Sequence, residues 1–211
     1  MLGKRVRAER ERELQAPHMA KLREFVQGLR RKTGKDVPDL DPRDGGTEAE
    51  VMFLFEAPGR KARDSGFVSR NNPDETASNF FTFNRAVELP RQQTISWNIV
   101  PWYVGSKGKL RPPTHSDCEK GIEYLLLLLK VLPKLRAVVF VGQTAQRAVI
   151  PVANLRKYEL FLSPHPSPQF INRNKKKNRK QIIDVLREVK QYLRRLKQSS
   201  KSRSADGQIF G

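Results

Sequence analysis

Four short segments of the chain are apolar enough to predict buried strands. Val51–Phe55 and Ala137–Val141 are apolar throughout, while residues 95–100 form a shorter, mixed run and residues 158–162 would be a fourth strand. Strands that are covered on both faces have continuous apolar runs rather than alternating ones, and this is the pattern of parallel sheets. We therefore expect a central four-stranded parallel sheet.

The segments between these strands have the spacing of amphipathic helices. Thr114 is a favourable helix-capping residue ahead of one of them, and Pro151 should end another, because proline lacks the N–H that a helix interior needs. Strands that alternate with helices predict an α/β fold, here a three-layer α/β/α sandwich. The predicted helices cover residues 16–32, 78–88, 114–132, 143–150 and 179–196.

The composition along the chain suggests three units. Residues 1–46 would be a basic N-terminal helix followed by a linker, since residues 36–46 are rich in Pro, Asp and Gly. Residues 47–198 contain all four predicted strands and are long enough to bury a sizeable core. Residues 199–211 are polar and poor in apolar side chains, which predicts a disordered tail.

The charge of the chain predicts a polyanionic partner. Its 41 Lys and Arg residues outnumber 22 Asp and Glu residues, giving a formal net charge of +19. A surplus of this size favours nucleic acid, which steers basic proteins at long range and releases counterions on binding. The surplus is concentrated after the fourth strand, where residues 173–203 hold 13 basic and 2 acidic side chains.

Other features of the sequence limit the classes of protein that fit. Cys118 is the only cysteine, so neither an internal disulfide nor a cysteine-ligated cluster is expected. No apolar run approaches the roughly 20 residues that span a bilayer, and residues 1–13 lack the apolar stretch of a secretory signal. We expect a cytoplasmic, nucleoid-associated protein without contact to a membrane.

Polar motifs follow three of the predicted strands. The run Glu56-Ala57-Pro58-Gly59 follows the first, Asn98 lies in the second, and His165 follows the fourth between two prolines. The carboxyl ends of parallel strands meet at one edge of a sheet, where α/β proteins bind their ligands. The sequence therefore predicts one pocket that contains Glu56, Asn98 and His165.

This order of motifs resembles the uracil-DNA glycosylase superfamily, especially its iron–sulfur-containing bacterial and archaeal branch. That branch has Gly-Glu-Ala-Pro-Gly after its first strand, Asn-Val-Val leading to Arg-Pro-Pro, a strand followed by Gly-x-Thr-Ala, and a closing His-Pro motif. The resemblance spans residues 51–196. The runs that carry it are residues 55–59, 98–100, 111–113, 142–145 and 165–168.

The resemblance implies a DNA glycosylase of base excision repair, which hydrolyses the N-glycosidic bond of uracil or a related deaminated base. Asn98 would bind the edge of the flipped base, and His165 would stabilise the departing base anion. Glu56 or, failing that, Asp64 would position water or steady the sugar cation. The motifs contain no amine nucleophile, so we expect a monofunctional enzyme without a strand-cutting step.

The resemblance also implies a set of contacts to the base and to DNA. Ala57, Pro58 and Gly59 would line the base pocket, and Phe67 would stack on the base, with Phe80 or Phe81 as alternatives. Residues 169–178 would form a DNA-intercalating loop, in which Phe170 or Ile171 is the wedge and basic side chains bind phosphates. The predicted DNA-binding residues are Ser167, Phe170, Arg173, Lys175, Lys176, Lys177, Arg179 and Lys180. The partner is DNA, and a monomer is expected.

The chain also departs from the family pattern. Ala57 occupies the place of the active-site aspartate of the best-known uracil glycosylases, and Ala62 stands where the related branch often has an acid. Leu110 and Gly121 stand where cluster-ligating cysteines are expected, so we predict no iron–sulfur cluster, no metal and no other cofactor. The alternative function is therefore a catalytically inactive nucleic-acid-binding protein that retains the glycosylase fold.

Overall fold

A four-stranded, wholly parallel sheet is the centre of the computed structural model, which describes residues 4–105 and 109–206. The strands are β1 (Asp39–Leu40), β2 (Val51–Phe55), β3 (Phe67–Val68), β4 (Thr94–Asn98), β5 (Ala137–Val141) and β6 (Glu159–Ser163). The large sheet has the order β4-β2-β5-β6, while β1 and β3 form a separate two-stranded parallel sheet. The predicted α/β fold with a central parallel sheet is confirmed.

Eight α-helices accompany these strands in the described residues. They are α1 (Lys4–Glu13), α2 (Ala20–Thr33), α3 (Arg60–Ser65), α4 (Glu75–Ala86), α5 (His115–Lys130), α6 (Val149–Ala153), α7 (Pro168–Arg173) and α8 (Lys175–Asp206). Thr114 caps α5 as predicted: its hydroxyl accepts the Asp117 N–H, and the Asp117 carboxylate accepts the Thr114 N–H in return.

The two faces of the large sheet are covered by different helices, which gives the predicted three layers. Alternate residues of a strand point to opposite faces, so Met52 and Leu54 of β2 join one core and Val51 and Phe53 join the other. The first core includes apolar residues of α2 and α5, and the second includes those of α4 and α8. All residues of β5 are buried, as its continuous apolar run predicts.

Two predicted helix boundaries are wrong. The helix predicted over 143–150 is a 3₁₀ turn, Ala145–Ala148, followed by α6, which continues past Pro151. Pro151 lies in the first turn of α6, where the missing N–H would have had no partner inside the helix. At the other end of the chain α8 runs through 199–206, where a disordered tail was predicted, and residues 207–211 of that tail lie outside the described residues.

Buried charges join the N-terminal segment to the rest of the protein. Arg10 of α1 is only 1% exposed, and its Nη1 lies 3.7 Å from Asp41 Oδ2. Arg91 binds Asp41 and Asp44 at 2.6 and 2.7 Å, and Arg70 lies 3.7 Å from Asp44. Burial raises the pKa of Asp44 to about 6. Residues 36–46, predicted to be a linker, therefore contribute two buried carboxyl groups to the interior.

The helices of the described residues include none that is long and apolar enough to cross a membrane.

Candidate functional site

A cavity of about 330 Å³ opens where β2 and β4 end. This volume is near the lower limit of small-molecule sites, roughly 300–1,000 Å³, so it suits a single planar ring system better than a dinucleotide. The cavity brings together residues of all three strand-end motifs, although Glu56 of the first motif does not line it, and its wall contains both Asn98 and His165. The predicted base-pocket residues Ala57, Pro58 and Gly59 line it as well.

Asn98 is positioned by the regular pairing of β2 and β4. It lies opposite Phe55 in the sheet and is 3% exposed. The pairing continues beyond the strands, because the N–H groups of Ile99 and Val100 donate to the carbonyls of Phe55 and Glu56 at 2.8 and 3.0 Å. Among the described residues, Asn98 Nδ2 has no hydrogen-bond partner. A buried amide without a partner suits a residue that binds a polar ligand.

His165 is positioned by two hydrogen bonds to its neighbours in the chain and by one ring contact of its own. The Gly142 N–H donates to the Ser163 carbonyl at 2.8 Å, and Asn79 Nδ2 donates to the Pro166 carbonyl at 3.1 Å. The Phe55 ring meets the imidazole edge to face at 6.0 Å between centroids. Burial lowers the pKa of His165 below its usual value, although the charges of Glu56 and Asp74 oppose this change. Near pH 7 the ring is therefore neutral and has one N–H.

Gly142 makes room for this histidine. Its φ of +84° is a conformation that side-chain-bearing residues rarely adopt, and an added Cβ would lie 3.2 Å from His165 Cβ. We expect Gly142→Ala to lower the free energy of unfolding, measured by urea denaturation, by about 1–2 kcal/mol or more. Gly28→Ala is the matched control, since this helical position has only one neighbouring atom, at 4.0 Å. An equal effect of both changes would contradict the proposed role of Gly142.

The two predicted catalytic carboxylates do not line the cavity. Thr144 Oγ1 donates to Glu56 Oε2 at 2.5 Å, which holds Glu56 beside the cavity, close enough for its charge to act on His165. Asp64 forms an ion pair with Arg63 at 2.8 Å, and half of its side chain is exposed to solvent. The structure thus brings Glu56 near the site and leaves Asp64 outside it.

The aromatic residues of the cavity differ from those selected on the sequence. Phe67 is 2% exposed within the core, with the Arg10 guanidinium 5.7 Å from its ring, and it does not line the cavity. Phe81 is 39% exposed and lies in a shallow neighbouring depression. Phe80, named as an alternative, does line the cavity, and so does Phe55, with 5.1 Å between their ring centroids.

The segment predicted to be an intercalating loop is helical. Apart from Asn174, which lies between the two helices, residues 169–178 belong to α7 and to the start of α8. Ser167 caps α7 by accepting the Phe170 N–H at 3.3 Å. Ile171 is 2% exposed in the core, and Phe170 is partly buried against the same core. The exposed members of the predicted DNA-binding set are basic: Arg173, Lys175, Lys176, Lys177, Arg179 and Lys180.

The cavity wall also contains residues that the sequence analysis did not select. Arg70 is 5% exposed, with its guanidinium 5.2 Å from the Phe80 ring and its Nη2 2.6 Å from Thr94 Oγ1. Asp74 is half-buried and caps α4, since its Oδ1 accepts the Ala77 N–H at 2.9 Å. Asp-Glu ahead of an amphipathic run is a helix-start signal, and it could have located Asp74 in the sequence.

The residues present do not fit an iron–sulfur cluster. A Cβ at Gly121, where a ligand cysteine is expected, would lie 1.8 Å from the Ile99 carbonyl oxygen, so the backbone leaves no room for a side chain. Cys118 is buried. Across 4–105 and 109–206 no group of three or more His, Cys, Asp or Glu residues is placed to hold a metal ion.

Comparison with known proteins identifies one family. The family model of the Uracil DNA glycosylase superfamily matches residues 42–190. Among solved structures, the chain is similar to the solution NMR structure of a candidate uracil DNA glycosylase from Methanosarcina acetivorans. The two are 16% identical with a TM-score of 0.42, and the match covers 67% of this chain and 91% of that chain. No curated protein matches the sequence.

Proposed function

The chain belongs to the uracil DNA glycosylase superfamily, and on this premise we propose that it hydrolyses the N-glycosidic bond of uracil or a related deaminated base in DNA. Membership in this superfamily supports a glycosylase-type function. The proposal adds that the base removed is uracil or a related deaminated base. The observation that carries it is the cavity in which Asn98 and His165 meet at the carboxyl edge of the parallel sheet.

Base recognition in this proposal depends on Asn98 and the cavity aromatics. An enzyme that acts on a base inside DNA has to take the base out of the stack and bind its edge in a pocket. The Asn98 amide offers a donor and an acceptor, which match the N3–H and O4 groups of a uracil ring. Phe55 and Phe80 supply apolar surface for the ring faces. A flipped uracil that enters the cavity would therefore exchange its contacts with water for hydrogen bonds to Asn98 and apolar contacts with Phe55 and Phe80.

His165 has the properties of a leaving-group stabiliser. Breaking the bond leaves negative charge on the base, and a buried N–H donor stabilises such charge more strongly than water does. Because burial lowers the pKa of His165, the neutral ring donates a hydrogen bond without giving up a proton to the base. The base then departs as an anion, which takes a proton from solvent.

DNA would be held by an exposed basic surface on α7 and α8, consisting of Arg173, Lys175, Lys176, Lys177, Arg179 and Lys180. This basic surface follows His165 in the chain, and Lys175 and Arg179 line a depression that also contains Asn79, the residue that holds the His165 loop. Phosphate contacts here would position the duplex over the cavity without selecting a sequence.

Neutralising part of this basic surface should weaken DNA binding. Replacing Lys175, Lys176 and Lys177 with glutamine is expected to lower the affinity for damaged and undamaged duplex alike. The slope of log affinity against log salt should flatten by roughly 0.9 for each phosphate that is no longer neutralised, which fluorescence anisotropy at several salt concentrations measures. The control is the same triple change at Lys21, Lys120 and Lys130, exposed on the helices of the other sheet face. Equal slopes for both triple variants would contradict the proposed DNA path.

The decisive test of the proposed function is release of free base from oligonucleotides. We expect excision from a panel that contains uracil, hypoxanthine, xanthine and thymine mismatches, with uracil or another deaminated base preferred. A monofunctional enzyme leaves an abasic site that breaks only on treatment with alkali, and borohydride traps no covalent complex with DNA. The proposal includes action as a monomer in the cytoplasm, at the nucleoid.

One observation favours the alternative, a nucleic-acid-binding protein without turnover. Ala57 and Ala62 both line the cavity, so the first motif contributes no carboxylate to it. Binding of uracil-containing DNA with no release of base across the whole panel would support this alternative and refute the enzyme.

A further inference from the structure

The cavity wall contains one carboxyl group among the residues that the structure describes, and it belongs to Asp74. Ala57 and Ala62 bring none, Glu56 accepts a hydrogen bond from Thr144 outside the wall, and Asp64 pairs with Arg63. Hydrolysis needs a group that orients a water molecule and accepts its proton. A cavity with only one carboxyl group leaves one residue suited to this task.

We propose that Asp74 positions and deprotonates the water that attacks the sugar, an inference that rests on the proposed glycosylase function. Its Oδ1 accepts the Ala77 N–H at 2.9 Å, which fixes the side chain at the start of α4. Its Oδ2 accepts no hydrogen bond from any described residue, so one oxygen is held while the other remains available to water.

In this proposal Asp74 and His165 act on the same glycosidic bond, and the segments that carry them are joined to each other. Asp74 is close enough for its charge to raise the pKa of His165 against the larger effect of burial. The two loops are also joined directly, because Asn79 of α4 donates to the Pro166 carbonyl at 3.1 Å. An acceptor for the proton of water and a donor for the departing base therefore line one cavity, on two segments that a hydrogen bond joins.

The reaction balances with these two groups and one water molecule. The C1′–N bond breaks with its electron pair moving to the base, where His165 donates a hydrogen bond to the anion. The water oxygen forms the new bond to C1′, and its proton passes to Asp74. The base anion takes a proton from solvent and Asp74 later releases its own, so the products are an abasic sugar and the free base.

The Asp74→Asn variant distinguishes the proposed proton acceptor role of Asp74 from its role as the cap of α4. Asparagine caps helices as well as aspartate does, so the variant should keep its fold while losing the proton acceptor. We expect its single-turnover excision rate to fall by about 10²-fold or more. The affinity for uracil-containing duplex should stay equal or increase, because a negative charge near the phosphates is removed. A residue with a purely structural role would not lower the rate while sparing affinity.

Glu75→Gln is the matched control, because Glu75 is the next residue, loses the same charge and does not line the cavity. It should change affinity as Asp74→Asn does and leave the excision rate unchanged. A second readout does not need turnover: NMR titration of the His165 ring should give a lower pKa in Asp74→Asn than in the parent protein or in Glu75→Gln.

The outcomes distinguish failure of the proposed glycosylase function from failure of the proposed role of Asp74. A parent protein that excises no base refutes the proposed function and, with it, this inference. A parent that excises while Asp74→Asn retains its rate within threefold refutes the role of Asp74 alone. An unchanged His165 pKa in Asp74→Asn would likewise refute the placement of the two groups in one cavity. Loss of rate with retained affinity and a lowered His165 pKa supports it.

Discussion

His165→Ala should lower the single-turnover rate of base excision by about 100-fold or more, equivalent to roughly 2.7 kcal/mol of lost transition-state stabilisation. His165 has the only imidazole among the described residues of the cavity wall, and in the proposed function it donates a hydrogen bond to the departing base anion. Affinity for undamaged duplex should barely move, since phosphate contacts dominate binding and His165 makes none in this proposal. Rapid-quench excision assays and anisotropy titrations measure the two quantities.

His115→Ala provides the control for this result. His115 is exposed on α5, with 78% of its side chain accessible, and pairs with Glu119 on the surface. The His115→Ala variant should therefore excise the base at the parental rate. If His165→Ala unfolds the protein, the histidine is a structural turn residue, and if the variant folds and excises at the parental rate, the assignment of the site fails.

Asp41→Asn should lower the free energy of unfolding by about 3–5 kcal/mol, the usual cost of removing one partner from a buried ion pair. The Asp41 side chain is fully buried, 2.6 Å from the Arg91 guanidinium and 3.7 Å from that of Arg10. Without this charge the buried Arg10 guanidinium loses its anionic partner, and the partly exposed Arg91 keeps only Asp44. Urea denaturation with an unchanged m-value measures the loss.

The control for this prediction is an exposed aspartate that also has two cationic partners. Asp184 pairs with Lys180 at 2.6 Å and with Arg187 at 3.1 Å on the surface of α8, so Asp184→Asn should destabilise the protein far less than Asp41→Asn does. Adding Arg10→Met to Asp41→Asn should recover part of the stability, because it removes an unpaired buried charge. Equal small losses in both single variants would contradict a buried cluster that secures α1.

The arrangement of the sheet follows from local sequence patterns. Val51–Phe55 and Ala137–Val141 are strands with the predicted bounds, since a run of five consecutive apolar residues is typical of a strand that helices cover on both faces, as in a parallel sheet. The same pattern predicts Asn98 and His165 at one edge of the sheet. Both line the cavity because the ends of parallel strands meet there whatever the loops between them do.

The identity of the remaining site residues depends on side-chain direction, which sequence spacing alone does not determine. Phe55 and Glu56 are adjacent, yet Phe55 lines the cavity while Glu56 turns to Thr144, a residue 88 positions away. Phe67 and Phe80 are both buried, but Phe67 packs beside the Arg10 guanidinium while Phe80 lines the cavity. Contacts between residues far apart in sequence therefore determine which of these side chains line the cavity.

The burial of charged side chains likewise depends on tertiary structure. A segment rich in Pro, Asp and Gly, such as 36–46, is typical of a solvated linker, and only its packing against Arg91 and Arg70 makes two of its carboxyl groups buried. Asp74 is a helix cap by its local sequence and becomes a cavity residue because Asn79 joins α4 to the His165 loop. Sequence patterns alone determined the strands of the large sheet and the edge at which Asn98 and His165 lie, because a continuous apolar run and the residues that end it are local features of the sequence. Only the folded chain decided which acid and which aromatic side chain enter the cavity, since that depends on contacts between residues far apart in sequence.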